Sequence, residues 1–387
     1  MRHLYSNIYR LQFFLFSTIM SMVNLQYELL MADRGVELSA ALAILSASQV
    51  LTMCLMFFIR KLDDKIKDKN KVLQLSFVLR TFIVALMLFV DSPILFVILF
   101  LLYTLAAAPN IMFEGLVAQW SSEKNIDFSK IRYFASTGFA CGGLIAGFIF
   151  SITGEINSIL IYIVAVHSLN AIGTFAFPIK IPKLNKDIKD KTTIKLKKEY
   201  KVLIVLTASV MVFPNVFGFI LNSHYRDVFG QSVEQAIFLA GVALFFGAFL
   251  SEVTGFVIVN KLIARYGPKK VILFSMILSL TRWILALFAP NAAVFTATYI
   301  FHGLSFSFGY IGIITYIKSK VGNEYTNKLV IEYVLYSFFM SVIMTQIVNF
   351  ILNNFTNNAL LIVFVILNIS IVSIYYFLYL YKKPLIN

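Results

Sequence analysis

KLIARYGPKKVILFSMILSLTRWILALFAPN, Lys261 to Asn291, decides the fold. Lys261, Arg265, Lys269 and Lys270 precede a run at 271–289 whose one charge is Arg282, and Pro290 and Asn291 close it. Such a run is long enough to cross a hydrocarbon layer as a helix. Its flanks differ: basic on one side, uncharged on the other. Working outward, the same grammar recurs, giving twelve apolar runs at 11–31, 37–59, 72–90, 94–118, 133–152, 158–178, 202–222, 235–259, 271–289, 292–317, 329–350 and 359–380. Of the 33 Lys and Arg, 29 fall in the alternate connections that lie on one side, both termini included. The connections on the other side hold only Arg34 and Arg226, and Arg80 and Arg282 lie inside runs. Basic loops stay cytoplasmic, so both ends are expected inside the cell. The fold class that follows is an all-α membrane protein with twelve transmembrane helices.

Composition agrees with this class and excludes others. A net charge of +14 in a soluble chain would invite a nucleic-acid partner, but 59% of these residues are apolar and the charge is spread over seven short segments. Anionic lipid at the cytoplasmic surface is the better partner. Cys54 and Cys141 both fall within spans, so no disulfide framework is indicated. The first apolar run is longer than a signal-peptide core and lacks a small-x-small cleavage site before Asp33, which marks it as a retained span. Richness in Lys, Asn, Ile and Phe suits an AT-rich bacterial genome, and with it a bacterial cytoplasmic membrane. His3, His167, His224 and His302 are scattered, and there is neither a Ser–His–Asp arrangement nor a glycine-rich phosphate loop. No metal, no cofactor and no enzymatic activity are expected.

The chain divides into a six-helix bundle at 1–178, a basic cytoplasmic linker at 179–201 with nine lysines, and a second six-helix bundle at 202–387. The two bundles echo one another. KLDDKIKDKNKVL from Lys61 faces KLIARYGPKKVIL from Lys261, aligning Lys61, Leu62, Lys65, Lys69 and Leu73 with Lys261, Leu262, Arg265, Lys269 and Leu273. A six-plus-six parallel repeat with a substrate site between the halves is the expected architecture, in a monomer. Gly138, Gly142, Gly143 and Gly147 in the fifth run allow close helix packing. Pro109 and Asn110 can loosen the fourth.

Ionisable groups inside a membrane are costly and usually face a cavity or a partner. Glu28 and Glu332 lie near span ends, where snorkelling accounts for them. His167 and Arg80 have no partner that the sequence names. Glu114 near the inner end of the fourth run and Arg132 at the start of the fifth sit on antiparallel neighbours and can meet. Phe139, seven residues beyond Arg132, falls on nearly the same helical face. A carboxylate, a guanidinium and an aromatic plane suit a sugar: the first two bond adjacent hydroxyls and the ring covers the apolar face of the pyranose. Alternatively, Glu114 and Arg132 are a structural pair and Phe139 is ordinary packing. In the second half Glu252, Arg282 and His302 make a proton-coupling set, Glu252 carrying the proton and the other two sensing it. Independent helix–helix contacts are the less favoured alternative.

DFSKIRYFASTGFACGG (Asp127 to Gly143), the stretch from Arg265 to Asn291, and FHGLSFSFGY (Phe301 to Tyr310) together resemble the lactose permease-like and phenylpropionate permease-like branch of the major facilitator superfamily. The resemblance implies that Arg132 and Glu114 bind sugar, and that Arg282 and His302 take part in proton coupling. Glu252 matches the eighth-helix carboxylate approximately. Where lactose permease has a tryptophan this chain has Phe139, and the carboxylate expected three residues after the histidine is Ser305, which leaves Glu252 as the carrier. The loop at Lys61 has lost the glycines of the superfamily signature, whereas Arg265, Gly267 and Lys269 keep theirs. The expected function is proton-coupled uptake of a sugar or small glycoside by alternating access. Transport of a nucleoside or an aromatic acid, drug efflux and a non-transporting sensor are the alternatives.

Overall fold

A computed structural model describes residues 2–62, 66, 68–176, 197–322 and 326–381. The linker at 179–201 lies outside the described residues except for its last five, of which Lys198 onward begin a helix. Twelve helices are long and apolar enough to cross a membrane. They are α1 (Leu4–Ala32), α2 (Leu38–Ile59), α3 (Lys69–Met87), α4 (Pro93–Glu123), α5 (Ser129–Thr153), α6 (Ile156–Ala176), α7 (Lys198–Gly218), α8 (Val233–Tyr266), α9 (Pro268–Leu287), α10 (Ala292–Val321), α11 (Leu329–Asn354) and α12 (Asn357–Tyr381). No strand occurs among the described residues. The chain is a multi-pass, all-helical membrane protein, as the run count predicts.

Two spans depart from regular α winding, each where the local chemistry demands it. In α4 the α-helix stops at Ala106, a 3-10 turn covers Ala108–Asn110, and the α-helix resumes at Ile111. Pro109 has no N–H to give to the ladder, and the tighter turn absorbs the loss. In α8 a π-helical segment covers Phe245–Glu252. Its wider turns rotate everything beyond them relative to a regular helix, Glu252 included.

Within the first half α1 lies along α5 at backbone contact. A Cβ at Gly138 would sit 2.1 Å from the Phe14 carbonyl oxygen, and one at Gly142 would sit 2.3 Å from that of Thr18. Thr18 Oγ1 donates to the Gly138 carbonyl at 3.1 Å. Without a hydrophobic drive inside lipid, such close approach is what holds helices together.

The first six spans meet the last six along two equivalent lines. On one, α5 packs on α8, where a Cβ at Gly241 would come within 2.8 Å of the Gly143 carbonyl oxygen. On the other, α2 packs on α11, with Gln346 donating to Ser46 at 2.5 Å and Thr345 to Gln49 at 3.1 Å. Exchanging the two sets of six spans turns one line into the other, as a parallel repeat requires.

On the side opposite the basic loops, a short helix at Leu221–Phe229 ties the two sets together. Asn222 donates to the Leu25 carbonyl at 2.7 Å, and Glu28 accepts the Ser223 backbone N–H at 3.1 Å and the Arg226 guanidinium at 2.5 Å. Neither Glu28 nor Glu332 snorkels outward; both are buried. His224 packs among Phe217, Phe229 and Phe295, and burial pushes its imidazole down to about 4, so it is neutral near pH 7.

Candidate functional site

On the inner half of the seam, side chains from both sets converge on Arg132 at the start of α5. Its Nε donates to Glu114 Oε1 of α4 at 2.7 Å. Its Nη1 lies 4.0 Å from Glu252 Oε1, which the π segment of α8 delivers from the other set. Two hydroxyls complete the group. Tyr310 of α10 donates to Glu114 Oε1 at 2.5 Å, and Ser136 of α5 donates to Glu252 Oε1 at 2.5 Å. Four rings surround the guanidinium: Phe13, Phe256, Phe306 and Tyr310, centred 5.6–6.0 Å from it. The last two stack on each other.

Three features bear on function. One arginine serves two carboxylates, so the group is one positive charge short and a single proton would balance it. The side chains of Glu114, Arg132 and Glu252 keep 21%, 15% and 10% of their surface accessible, although they lie within spans and face the opposite set. Finally, hydroxyl acceptors, a bidentate-capable donor and flat rings all point at the same place.

The sequence-derived set is therefore regrouped. Glu114 and Arg132 meet, as their antiparallel helices predict. The rings around them belong to other residues, while Phe139 packs with the large apolar core on the outer side. Glu252 turns to Arg132 and Ser136, and Arg282 is elsewhere: its guanidinium lies on the faces of Tyr299 and Trp283, at 4.1 and 4.3 Å. His302 neighbours Tyr299 and Phe306. A Cβ at the adjacent Gly303 would fall 2.5 Å from the Glu252 backbone nitrogen, so α10 touches the backbone of the π segment even though the Glu252 side chain points away to α5.

Arg80 and His167, unassigned by sequence, share Tyr103: Arg80 Nη2 donates to its hydroxyl at 2.6 Å, and His167 Nε2 lies 3.2 Å from it. The Arg80 guanidinium also covers the Tyr103 ring at 4.5 Å. Arg80–Tyr103 on α3 and α4 thus mirrors Arg282–Tyr299 on α9 and α10. Among the described residues neither arginine is ion-paired to a carboxylate.

Tyr310 and Ser136 are absent from the sequence-derived set, and the spacing that relates Tyr310 to Glu114 emerges only from the contacts. Glu114 and Tyr310 are 196 residues apart, as are Ser122 and Lys318, and both pairs touch, the second at 3.1 Å. Equivalent residues of two repeats can meet only beside the axis relating them, so α4 and α10 flank that axis.

The same architecture appears in solved structures. The D-xylose–proton symporter superposes with a TM-score of 0.73 at 12% identity, covering 98% of this chain and 97% of that one. The nucleoside transporter NupG gives 0.67 at 15%, covering 98% of each. The E. coli fucose:proton symporter FucP gives 0.64 at 14%, covering 96% of this chain and 98% of that one. Identities this low speak for the fold alone. No curated protein matches by sequence. The family model of the Major Facilitator Superfamily matches residues 11–345, most of the chain. With twelve spans and this match, the chain belongs to the major facilitator superfamily and is a membrane transporter, not an enzyme.

Proposed function

We infer that this transporter takes up a sugar or small glycoside together with a proton, by alternating access, across a bacterial cytoplasmic membrane. The observation that carries the reading is the Glu114–Arg132–Glu252 group on the inner seam: polar atoms suited to hydroxyls, flanked by the stacked Phe306 and Tyr310 rings and one proton short of neutrality. Substrate bonding Glu114 and Arg132 would loosen the hold of Arg132 on Glu252, so substrate and proton occupancy would be linked through one guanidinium. Arg282 and His302 then act on Glu252 indirectly, through the contact of α10 with the π segment.

A second reading has its own support. Arg80 and Arg282 are buried cations that have no carboxylate partner among the described residues, and an anionic substrate such as an aromatic acid would offset them. A nucleoside also fits the rings, and one structural neighbour carries that name. Competition decides among these. Neutral sugars are expected to block uptake of a labelled sugar in proteoliposomes, with aromatic acids and nucleosides inert. Block by aromatic acids, with neutral sugars inert, would replace the sugar reading with the anionic one.

A further inference from the structure

The contacts on the inner seam are reciprocal. Tyr310 belongs to the last six spans and donates to Glu114 of the first six; Ser136 belongs to the first six and donates to Glu252 of the last six. Each half lends one hydroxyl to a carboxylate of the other, with Arg132 between them. The halves are joined on the outer and inner sides of this group as well. Arg226 holds Glu28 on the outer side, while Asn260 holds Asp127 at 2.9 Å and Lys318 holds Ser122 at 3.1 Å on the inner side. The seam is closed at both ends around the Arg132 group.

Resting on the sugar reading of Glu114 and Arg132, we propose that Tyr310 and Ser136 form an occlusion latch whose two hydroxyls hold the places on Glu114 and Glu252 that substrate hydroxyls take when the seam opens. A phenol and a seryl hydroxyl present the same donor to a carboxylate that a sugar hydroxyl does. Glu114 Oε1 receives Arg132 and Tyr310, and Glu252 Oε1 receives Ser136, so a substrate hydroxyl that takes the seam-facing site on either oxygen must displace the latch. Substrate and latch therefore compete. The latch keeps the empty carrier from standing open to the cytoplasm, and substrate releases it by replacing its bonds one for one. Removing a latch hydroxyl should raise affinity while loosening the seam. An ordinary structural contact, once removed, lowers both affinity and stability.

The test uses two variants that keep shape, Tyr310→Phe and Ser136→Ala. The phenylalanine preserves the stack on Phe306 and the ring beside Arg132. Ala118 of α4 packs among residues of the last six spans at the inner seam, including Tyr310 and Leu329. Ala118→Cys in a background with Cys54 and Cys141 changed to serine gives a thiol reachable only when the inner seam parts. Alkylation from the basic-loop side should speed up roughly tenfold in either latch variant, the worth of one hydrogen bond to a charged group. Sugar should bind each variant more tightly, by a factor of the same order. Unchanged or slower alkylation overturns the latch, as does weaker sugar binding accompanied by a lower melting temperature. If the parent protein binds no sugar at all, the sugar reading falls on its own account. Alkylation then decides whether the two hydroxyls hold the seam.

Discussion

At the scale of the residue, Arg132 is the centre of the account. Its planar fork reaches Glu114 through Nε and approaches Glu252 through Nη1, so its two arms engage two carboxylates from different halves. A lysine keeps the charge but offers one ammonium on a flexible stem. Arg132→Lys should therefore lower sugar affinity at least tenfold, judged against about 1.5–3 kcal/mol for a charge-assisted bond, while the protein still folds and inserts. Equilibrium binding to purified protein checks this, and unchanged affinity would remove Arg132 from the site. The pair Glu114–Arg132 was legible in the sequence because two antiparallel neighbours bring equal depths together. The role given there to Phe139 was not supported by its position, since seven residues put it two turns farther out, in the outer core.

At the scale of the element, glycine spacing and helix winding decide what the residues can reach. Gly142 lies so close to α1 that a methyl group must push the helices apart. Gly173 on α6 has open space where its Cβ would go. Gly142→Ala should therefore destabilise by about 1–3 kcal/mol, an overpacking cost. Gly173→Ala should be neutral or slightly stabilising through helix propensity. Thermal unfolding in detergent compares the two, and equal melting temperatures would contradict the packing described. The glycine run was visible in the sequence, as was the break at Pro109. The π segment of α8 was not. In a helix apolar on every side no stripe marks its phase, so nothing in the sequence showed that Glu252 would turn toward α5 and leave Arg282. That one element explains why the proton-coupling set assembles differently from its expected form. The buried Arg282 instead rests on Tyr299 and Trp283.

At the scale of the whole molecule, charge placement along the chain predicts the span count, and the repeat predicts how the halves meet. Alignment of the two basic loops gives an offset of 200, yet the touching pairs on α4 and α10 are 196 apart. The offset is not constant along the chain: it is 200 at the loops, 202 from Arg80 to Arg282 and 196 from Tyr103 to Tyr299. Arg80 and Tyr103 are 23 residues apart, whereas their counterparts Arg282 and Tyr299 are 17 apart, so the repeats differ in length between the third and fourth spans. A single fixed offset cannot carry Glu114 onto Tyr310, and so the partner from the other half stayed hidden. Contacts on the outer and inner sides place the Arg132 group between two joined ends of the seam, and on the proposed reading substrate and proton would act on the same guanidinium. Coupling of that kind would be a property of the two halves together.

The most direct test of that coupling is proton movement on substrate addition. Purified protein in lightly buffered proteoliposomes should alkalinise the external medium when a transported sugar is added. Glu252→Gln should abolish the pH change while sugar binding persists. Sugar uptake without any pH change, or a pH change that survives Glu252→Gln, would contradict the account.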